Sequence, residues 1–252
     1  MAACASSWPW PRLVVHRLAG TLAPENTLAA LNLAARMGVR AVETDVMLTR
    51  DGVAVISHDP QLGRVVASDA CVADLSLKQL RELDAGQRFG KEWAGEKIPL
   101  LTEVIETALR QHVFLNLEIK PSSEALAEAT ARETVRVVRE MLPREAFPLL
   151  SSFSRNALLS AKNAAPELPR GLLLEGRVPD WEDAAQNLEV RTVHPDDSVS
   201  DDMIRRAKFH GWGIMCWTID DVSQGRALLA RGVDALCTNR PDRFLSASPR
   251  LF

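Results

Sequence analysis

At 252 residues, 46% of them apolar, with a formal net charge of -3, the chain can bury a sizeable core as one large domain or two small ones. That charge, with no basic run or charge block, excludes a strong general attraction to nucleic acid or to an anionic membrane. No stretch approaches the roughly 18 uninterrupted apolar residues of a membrane span, and Met1 to Trp10 lacks the basic and apolar segments of a secretory signal.

The first apolar run, 12–16, ends in His16, with Arg17 behind it. Pro24-Glu25-Asn26-Thr27 then reads as a helix start in which Asn26 or Thr27 offers the capping oxygen, and a helix is predicted over 26–37. Gly38, like Gly211 and Gly232 later, follows a helix where a left-handed terminating residue is expected. The run 41–46 contains Glu43 and Asp45, which share a face because residues two apart in a strand point the same way. Only Leu48-Thr-Arg-Asp-Gly52 separates it from 53–58, too short for a parallel crossover, and Asp51-Gly52 is a hairpin signal. Residues 47–58 are therefore read as an excursion above the second strand that returns His58 to the rim. Residues 59–100, weakly periodic and rich in turn signals, read as an insertion capping that rim.

Beyond the insertion, apolar runs at 113–119, 148–152, 170–174, 189–194, 212–218 and 234–238 alternate with helical stretches at 101–111, 124–141, 155–163, 180–187, 200–209 and 221–231. Asn116, Glu118 and Lys120 point one way from the run 113–119. Alternation of this kind indicates a parallel sheet with helical crossovers. With 53–58 set aside, eight strands and seven helices remain, predicting a TIM-type (β/α)8 barrel as a single domain over 1–252 with a small capping insertion after the second strand. A doubly wound open sheet is the competing fold, and the absence of a glycine-rich phosphate turn after the first strand argues against it. The four cysteines, Cys4, Cys71, Cys216 and Cys237, show no paired spacing and are expected as reduced thiols.

Active sites of this fold lie at the carboxyl ends of the strands. Those ends carry His16, Arg17, Glu43, Asp45, Glu118, Lys120, His194 and Trp217, and the excursion adds His58. Three carboxylates with no cysteine nearby suit one hard divalent cation, Mg²⁺ or Ca²⁺. Two histidines beside it suit an acid and a base working near neutral pH. Arg17 and Lys120 are types that hold a phosphate, by a fork and by a point charge. Taken singly these signals are not specific: Glu43 and Asp45 could pair with Arg17 and Lys120 without any metal. Together they point to phosphodiester cleavage. His112 and His210 are read as surface groups and His194 as structural rather than mouth-lining. Trp8, Trp10, Trp93, Trp181 and Trp212 are read as packing or cap residues.

The motifs, taken in order, resemble those of the glycerophosphodiester phosphodiesterase family, in its bacterial cytoplasmic form. His16-Arg17 with Ala23-Pro-Glu-Asn-Thr27, then Val42-Glu-Thr-Asp-Val46, Leu48-Thr-Arg-Asp-Gly52 and His58-Asp59 match its opening blocks. Leu117-Glu-Ile-Lys-Pro121, Ser152-Phe153, Cys216-Trp-Thr-Ile219, Gly232-Val-Asp234 and Thr238-Asn-Arg-Pro241 match the later ones. The resemblance implies a TIM barrel that uses a divalent cation to hydrolyse deacylated phospholipids to sn-glycerol 3-phosphate and an alcohol. It implies Glu43, Asp45 and Glu118 as metal ligands and His16 and His58 as the general acid and base, in an order left open. Arg17 and Lys120 would contact phosphate, Trp217 would wall the glycerol pocket, and Glu25 and Asn26 would shape the first loop. The implied partner is a small-molecule glycerophosphodiester, handled in the cytoplasm without nucleic acid or stable membrane association; oligomeric state and head group stay open. Leu18 stands where the family has glycine, and Gly63-Arg64-Val65-Val66 where relatives often carry an acidic residue, arginine and threonines; both bear on substrate range more than on reaction class. Two rivals share the residue set: a phospholipase C/D-like enzyme acting on intact lipids, and a noncatalytic phosphoester-binding barrel.

Overall fold

The computed structural model describes residues 8–247, so Cys4 and the segment Met1 to Ser7 lie outside the described residues. Among those described, the strands are β1 (Leu13–Val15), β2 (Ala41–Leu48), β3 (Ala54–Ile56), β4 (Phe114–Ile119), β5 (Leu149–Ser152), β6 (Arg170–Leu174), β7 (Thr192–Pro195), β8 (Gly213–Cys216) and β9 (Ala235–Thr238). Hydrogen bonding runs β1-β9-β8-β7-β6-β5-β4-β2, and the pairing of β1 with β2 closes the ring. All eight of those strands are parallel, which makes a closed (β/α)8 barrel. β3 stands outside the ring, antiparallel to β2 with Val46 opposite Ile56, as its short link to β2 requires.

The helices are α1 (Leu28–Arg36), α2 (Leu77–Leu80), α3 (Leu101–Gln111), α4 (Ala127–Met141), α5 (Arg155–Ala164), α6 (Trp181–Asn187), α7 (Asp201–Phe209), α8 (Val222–Arg231) and α9 (Pro241–Ala247). On α3, Leu101, Val104, Ile105 and Ala108 are buried, the one-sided spacing of a helix laid on a sheet. Thr27 caps α1 by accepting the Ala30 N–H at 3.1 Å, leaving Asn26 free for another task. Gly38, Gly211 and Gly232 all adopt positive φ behind their helices.

Two expectations shift. β7 begins at Thr192 rather than 189, because Glu189 is left-handed and Val190 N–H still bonds Ala185 O behind α6. The four-residue α2 and the terminal α9 were not anticipated, α2 being shorter than any periodic signal. α2 is held instead by a reciprocal Ser76–Gln79 capping box.

The apolar residues sort into layers. Large clusters lie between the strands and the surrounding helices. A satellite core joins Met47 and Val55 of the β2–β3 ribbon to Leu62, Val72, Leu80 and Ile98 of the insertion. Inside the barrel, Val14, Ala41, Leu149, Met215 and Ala235 form an apolar floor with Trp8 packed on it. Among the described residues no helix is long and apolar enough to cross a membrane.

Candidate active site

Two residues beyond those floor positions, on the same face of each strand, come His16, Glu43, Ser151, Trp217 and Cys237. All five line a cavity of about 150 Å³. β4 sends Asn116, Glu118 and, just past its end, Lys120 into the same space, and His58 and Arg17 complete the wall. A larger groove of about 460 Å³ beside Trp181 and Asp196 holds no comparable group of carboxylates, so size does not identify the site.

Parallel pairing sets Asp45 directly opposite Glu118 and Glu43 opposite Asn116. The three carboxylates are buried, and one oxygen from each lies within 4.8 Å of the others. Lys120 is the ammonium among them, 3.1 Å from Asp45 Oδ1 and 3.5 Å from Glu118 Oε1. One cation against three anions leaves charge uncompensated. Burial, then the neighbouring Asp45 and Glu118 charges, drives the Glu43 carboxyl well above its usual range. Burial, then Asp45, pushes Glu118 up to about 8 against the pull of Lys120. Asp45 goes the other way: burial raises it, but Lys120, His58 and the Asn26 amide at 2.8 Å outweigh that and hold it low. Glu43 Oε1 is buried with no hydrogen-bond partner. An oxygen-only donor set with an orphaned carboxylate oxygen and two carboxyls forced toward protonation fits a hard divalent cation. Cys237 corrects the expectation that no cysteine lies near; burial and then Glu43 keep its thiol protonated, so it does not compete as a ligand.

The loop after β1 is wound tightly over this cluster. Arg17 and Leu18 are both left-handed, with φ of 50° and 75°. That lets the Arg17 N–H donate to Glu43 Oε2 at 3.0 Å and the Leu18 N–H to Glu43 O at 3.0 Å. Leu18 thus adopts the angle a glycine would supply, and its side chain is fully buried in the core rather than lining the cavity. It does not line the site. The Arg17 guanidinium reaches Glu25, not Glu43 or Asp45, and its buried Nε has no partner. An unpaired guanidinium N–H beside a cavity is a donor awaiting an anion.

The two histidines are mounted differently. His16 Nδ1 is 2.8 Å from Asn239 Oδ1. The Asn239 amide nitrogen donates to Asp220 Oδ2 at 3.2 Å and its backbone N–H to Asp220 Oδ1 at 2.7 Å, so the carboxylate fixes which way the amide faces. The His16 proton therefore sits on Nδ1, and Nε2, 3.8 Å from Glu43 Oε2, carries the lone pair. Burial, then Arg17, holds His16 down to about 4. His58 Nδ1 is instead 2.6 Å from the Asp59 carboxylate. Burial lowers His58 as well, with Lys120 and Arg17 adding to it against Asp45 and Asp59.

Opposite the charged groups, Trp217 meets Phe153 edge to face at 5.4 Å and donates its indole N–H to His194 O at 2.8 Å. His194 itself is absent from the cavity wall: it is fully buried, its Nε2 is 2.8 Å from Thr192 Oγ1, and burial alone pushes it down to about 3. His112 is exposed, while His210 is half-buried, bonded to Glu182 and stacked on Trp212, so it is less a surface group than expected.

Several supports of the site make contacts that the sequence did not assign to them. Asn239 and Asp220 hold His16, Asp59 holds His58, and Asn26, itself oriented by Thr44, holds Asp45. Phe153 and Asn239 stand at strand ends within quoted motifs, the one signal that could have found them.

A sequence model of the Glycerophosphoryl diester phosphodiesterase family matches residues 16–243. Among curated relatives, a glycerophosphodiester phosphodiesterase of Caldanaerobacter subterraneus subsp. tengcongensis is 32% identical over 93% of this chain and 96% of its own. Among solved structures, an Oleispira antarctica phosphodiesterase in complex with the product sn-glycerol-3-phosphate superposes with a TM-score of 0.91 at 36% identity, covering 95% of this chain and 97% of that one. A glycerophosphodiester phosphodiesterase of Agrobacterium tumefaciens superposes with a TM-score of 0.75 at 26% identity over 94% and 99% of the two chains.

Proposed function

Since the chain belongs to the glycerophosphoryl diester phosphodiesterase family and is an enzyme of that activity, we propose that it hydrolyses small glycerophosphodiesters to sn-glycerol 3-phosphate and an alcohol, with His16 as general base and His58 as general acid. The observation that carries the reading is the single cavity lined by Glu43, Glu118, both histidines, Arg17 and Lys120, with an Asp45 oxygen within 4.8 Å of those two glutamates. One divalent cation, Mg²⁺ or Ca²⁺, held by the three carboxylates would polarise a nonbridging phosphoryl oxygen and offset the negative charge gathered there.

The remaining roles belong to the chain's own groups. Arg17 Nε and the Lys120 ammonium grip the phosphate oxygens, the latter from its place beside Asp45. His16 Nε2, with its lone pair facing the cavity, takes the proton of the attacking hydroxyl as the new P–O bond forms. His58, backed by Asp59, gives a proton to the leaving alcohol oxygen as the old P–O bond breaks. A carboxylate behind an imidazole stabilises its protonated form, whereas a neutral amide fixes a tautomer without adding charge. Trp217 and Phe153 supply an apolar wall for the glycerol carbons. We read residues 59–100 as a cap within one catalytic domain, a reading supported by the core the segment shares with the β2–β3 ribbon. We place the reaction in the cytoplasm, in keeping with unpaired Cys71, Cys216 and Cys237.

Leaving-group chemistry tests the assignment. Release of glycerol 3-phosphate from glycerophosphocholine should stop when the cation is chelated, and His16→Ala and His58→Ala should each lower kcat by about 10² to 10⁴. With a nitrophenyl phosphodiester, whose leaving group needs no acid, His58→Ala should recover most of its rate and His16→Ala none. Recovery by His16→Ala instead would reverse the two roles, and wild-type turnover in both variants would end the assignment.

A further inference from the structure

The two mounts that aim the site, Glu25 behind Arg17 and Asp59 behind His58, meet at one side chain that does not line the cavity. Arg64 ends the first 3-10 turn of the 59–100 segment, Leu62–Arg64. Its Nε donates to Asp59 Oδ2 at 2.7 Å, and its two terminal nitrogens donate to the two oxygens of Glu25, each at 2.6 Å. Glu25 also accepts from Arg17 at 3.1 and 3.2 Å, and Asp59 also lies 2.6 Å from His58 Nδ1. Glu25 comes from the loop after β1 and Asp59 from the segment after β3, so the fork spans the seam between barrel and insertion.

We infer that Arg64 is a positioning residue through which the insertion sets the phosphate grip of Arg17 and the proton donor His58 together. This rests on the functional reading above and adds to it a coupling between two groups that share no direct bond. A planar guanidinium is suited to the task because its N–H groups point along fixed directions, so Glu25 and Asp59 cannot be satisfied independently. A lysine at 64 supplies the charge without the fork and holds one carboxylate at a time. An ion pair serving only stability would behave as Arg136 does on α4, where Glu133 and Glu140 take the same kind of fork far from any catalytic group.

The test is a set of variants assayed with glycerophosphocholine at saturating Mg²⁺, with melting temperature measured on each. Glu25→Gln should raise KM more than it lowers kcat, and Asp59→Asn should lower kcat more than it raises KM. Arg64→Ala should do both, with kcat/KM down about 10- to 100-fold, and Arg64→Lys should recover only part of it. In the double variants Arg64→Ala/Asp59→Asn and Arg64→Ala/Glu25→Gln the losses should fall short of the product of the single ones. Arg136→Ala is the control and should keep wild-type kinetics. Wild-type kcat and KM in folded Arg64→Ala, full rescue by Arg64→Lys, or multiplicative double variants would overturn the inference. Should Arg64→Ala unfold, Arg64→Lys and the Glu25 and Asp59 variants decide it through the same comparison. A wild-type protein that releases no glycerol 3-phosphate sinks the functional reading instead. The coupling is then read from calorimetric binding of glycerol 3-phosphate, where Arg64→Ala and Glu25→Gln must still be non-additive.

Discussion

The two halves of the barrel mouth are built from the same kind of strand and end in opposite chemistry. β1, β2 and β4, with the hairpin after β2, carry His16, Arg17, the three carboxylates, Lys120 and His58. The cavity wall from β5, β6 and β8 and their ends is Ser151, Phe153, Leu173, Met215, Trp217 and Thr218, without a charge. Even a histidine on that side behaves otherwise: His194 reaches no cavity and is held neutral beneath the mouth, while His16 faces the cavity. A strand end thus makes a residue available to chemistry only when the ring's pairing and the loop above it leave room. One half concentrates charge that needs a partner, and the other gives the partner a shape.

Four perturbations would break or sharpen that contrast, the first being the most severe. Glu118→Gln should reduce kcat/KM by about 10³ or more, the scale of several kcal/mol from a lost cation site. Its second signature is in stability. Without added cation, Glu118→Gln should melt no lower than wild type because it relieves repulsion with Asp45. With Mg²⁺ or Ca²⁺ present, wild type alone should gain in melting temperature. A large loss of stability in chelator would contradict the charge-crowded picture of that half.

On the apolar half, Trp217→Ala and Phe153→Ala should raise KM about tenfold with kcat within a few-fold, the mark of binding shared by ground and transition states. A kcat collapse in either would move the aromatic pair into the chemistry. A smaller effect, confined to stability, belongs to His194. Its folded value, about 3, is below its ordinary 6.5, so the unfolded chain binds the extra proton between those limits. Stability is therefore whole above about pH 6.5 and drains as pH falls toward 3, by about 1.4 kcal/mol per unit at most. Denaturant curves from pH 7 to pH 4 should show that slope reduced by one proton in His194→Gln; an unchanged slope would mean the ring already titrates freely.

Leu18→Gly should have the slightest consequence. Relief of a left-handed leucine returns about 1–2 kcal/mol, while loss of a fully buried side chain costs about 2–5 kcal/mol. The variant should be modestly less stable, with turnover per folded molecule unchanged. A gain in turnover would show that Leu18 strains Arg17 after all.

Period-two placement in apolar runs was enough to put Glu43 with Asp45, and Asn116 with Glu118 and Lys120, on common faces, since strand geometry is local. The short Asp51-Gly52 link sufficed in the same way to turn 53–58 back as a hairpin that brings His58 to the rim. What no local rule could supply was which strand neighbours which. Ring closure through β1 and β2, and the register that sets Asp45 against Glu118, arise from pairings between segments far apart in the chain. For the same reason the mount of His16 and the brace behind Arg17 were illegible: Asn239 reaches His16 across 223 positions of sequence, and Arg64 reaches Glu25 across 39. The residue types able to carry the chemistry are thus written in short stretches of chain. Which of them bear charge, face the cavity or hold a partner in place depends on burial and long-range contact, which exist only once the barrel has closed.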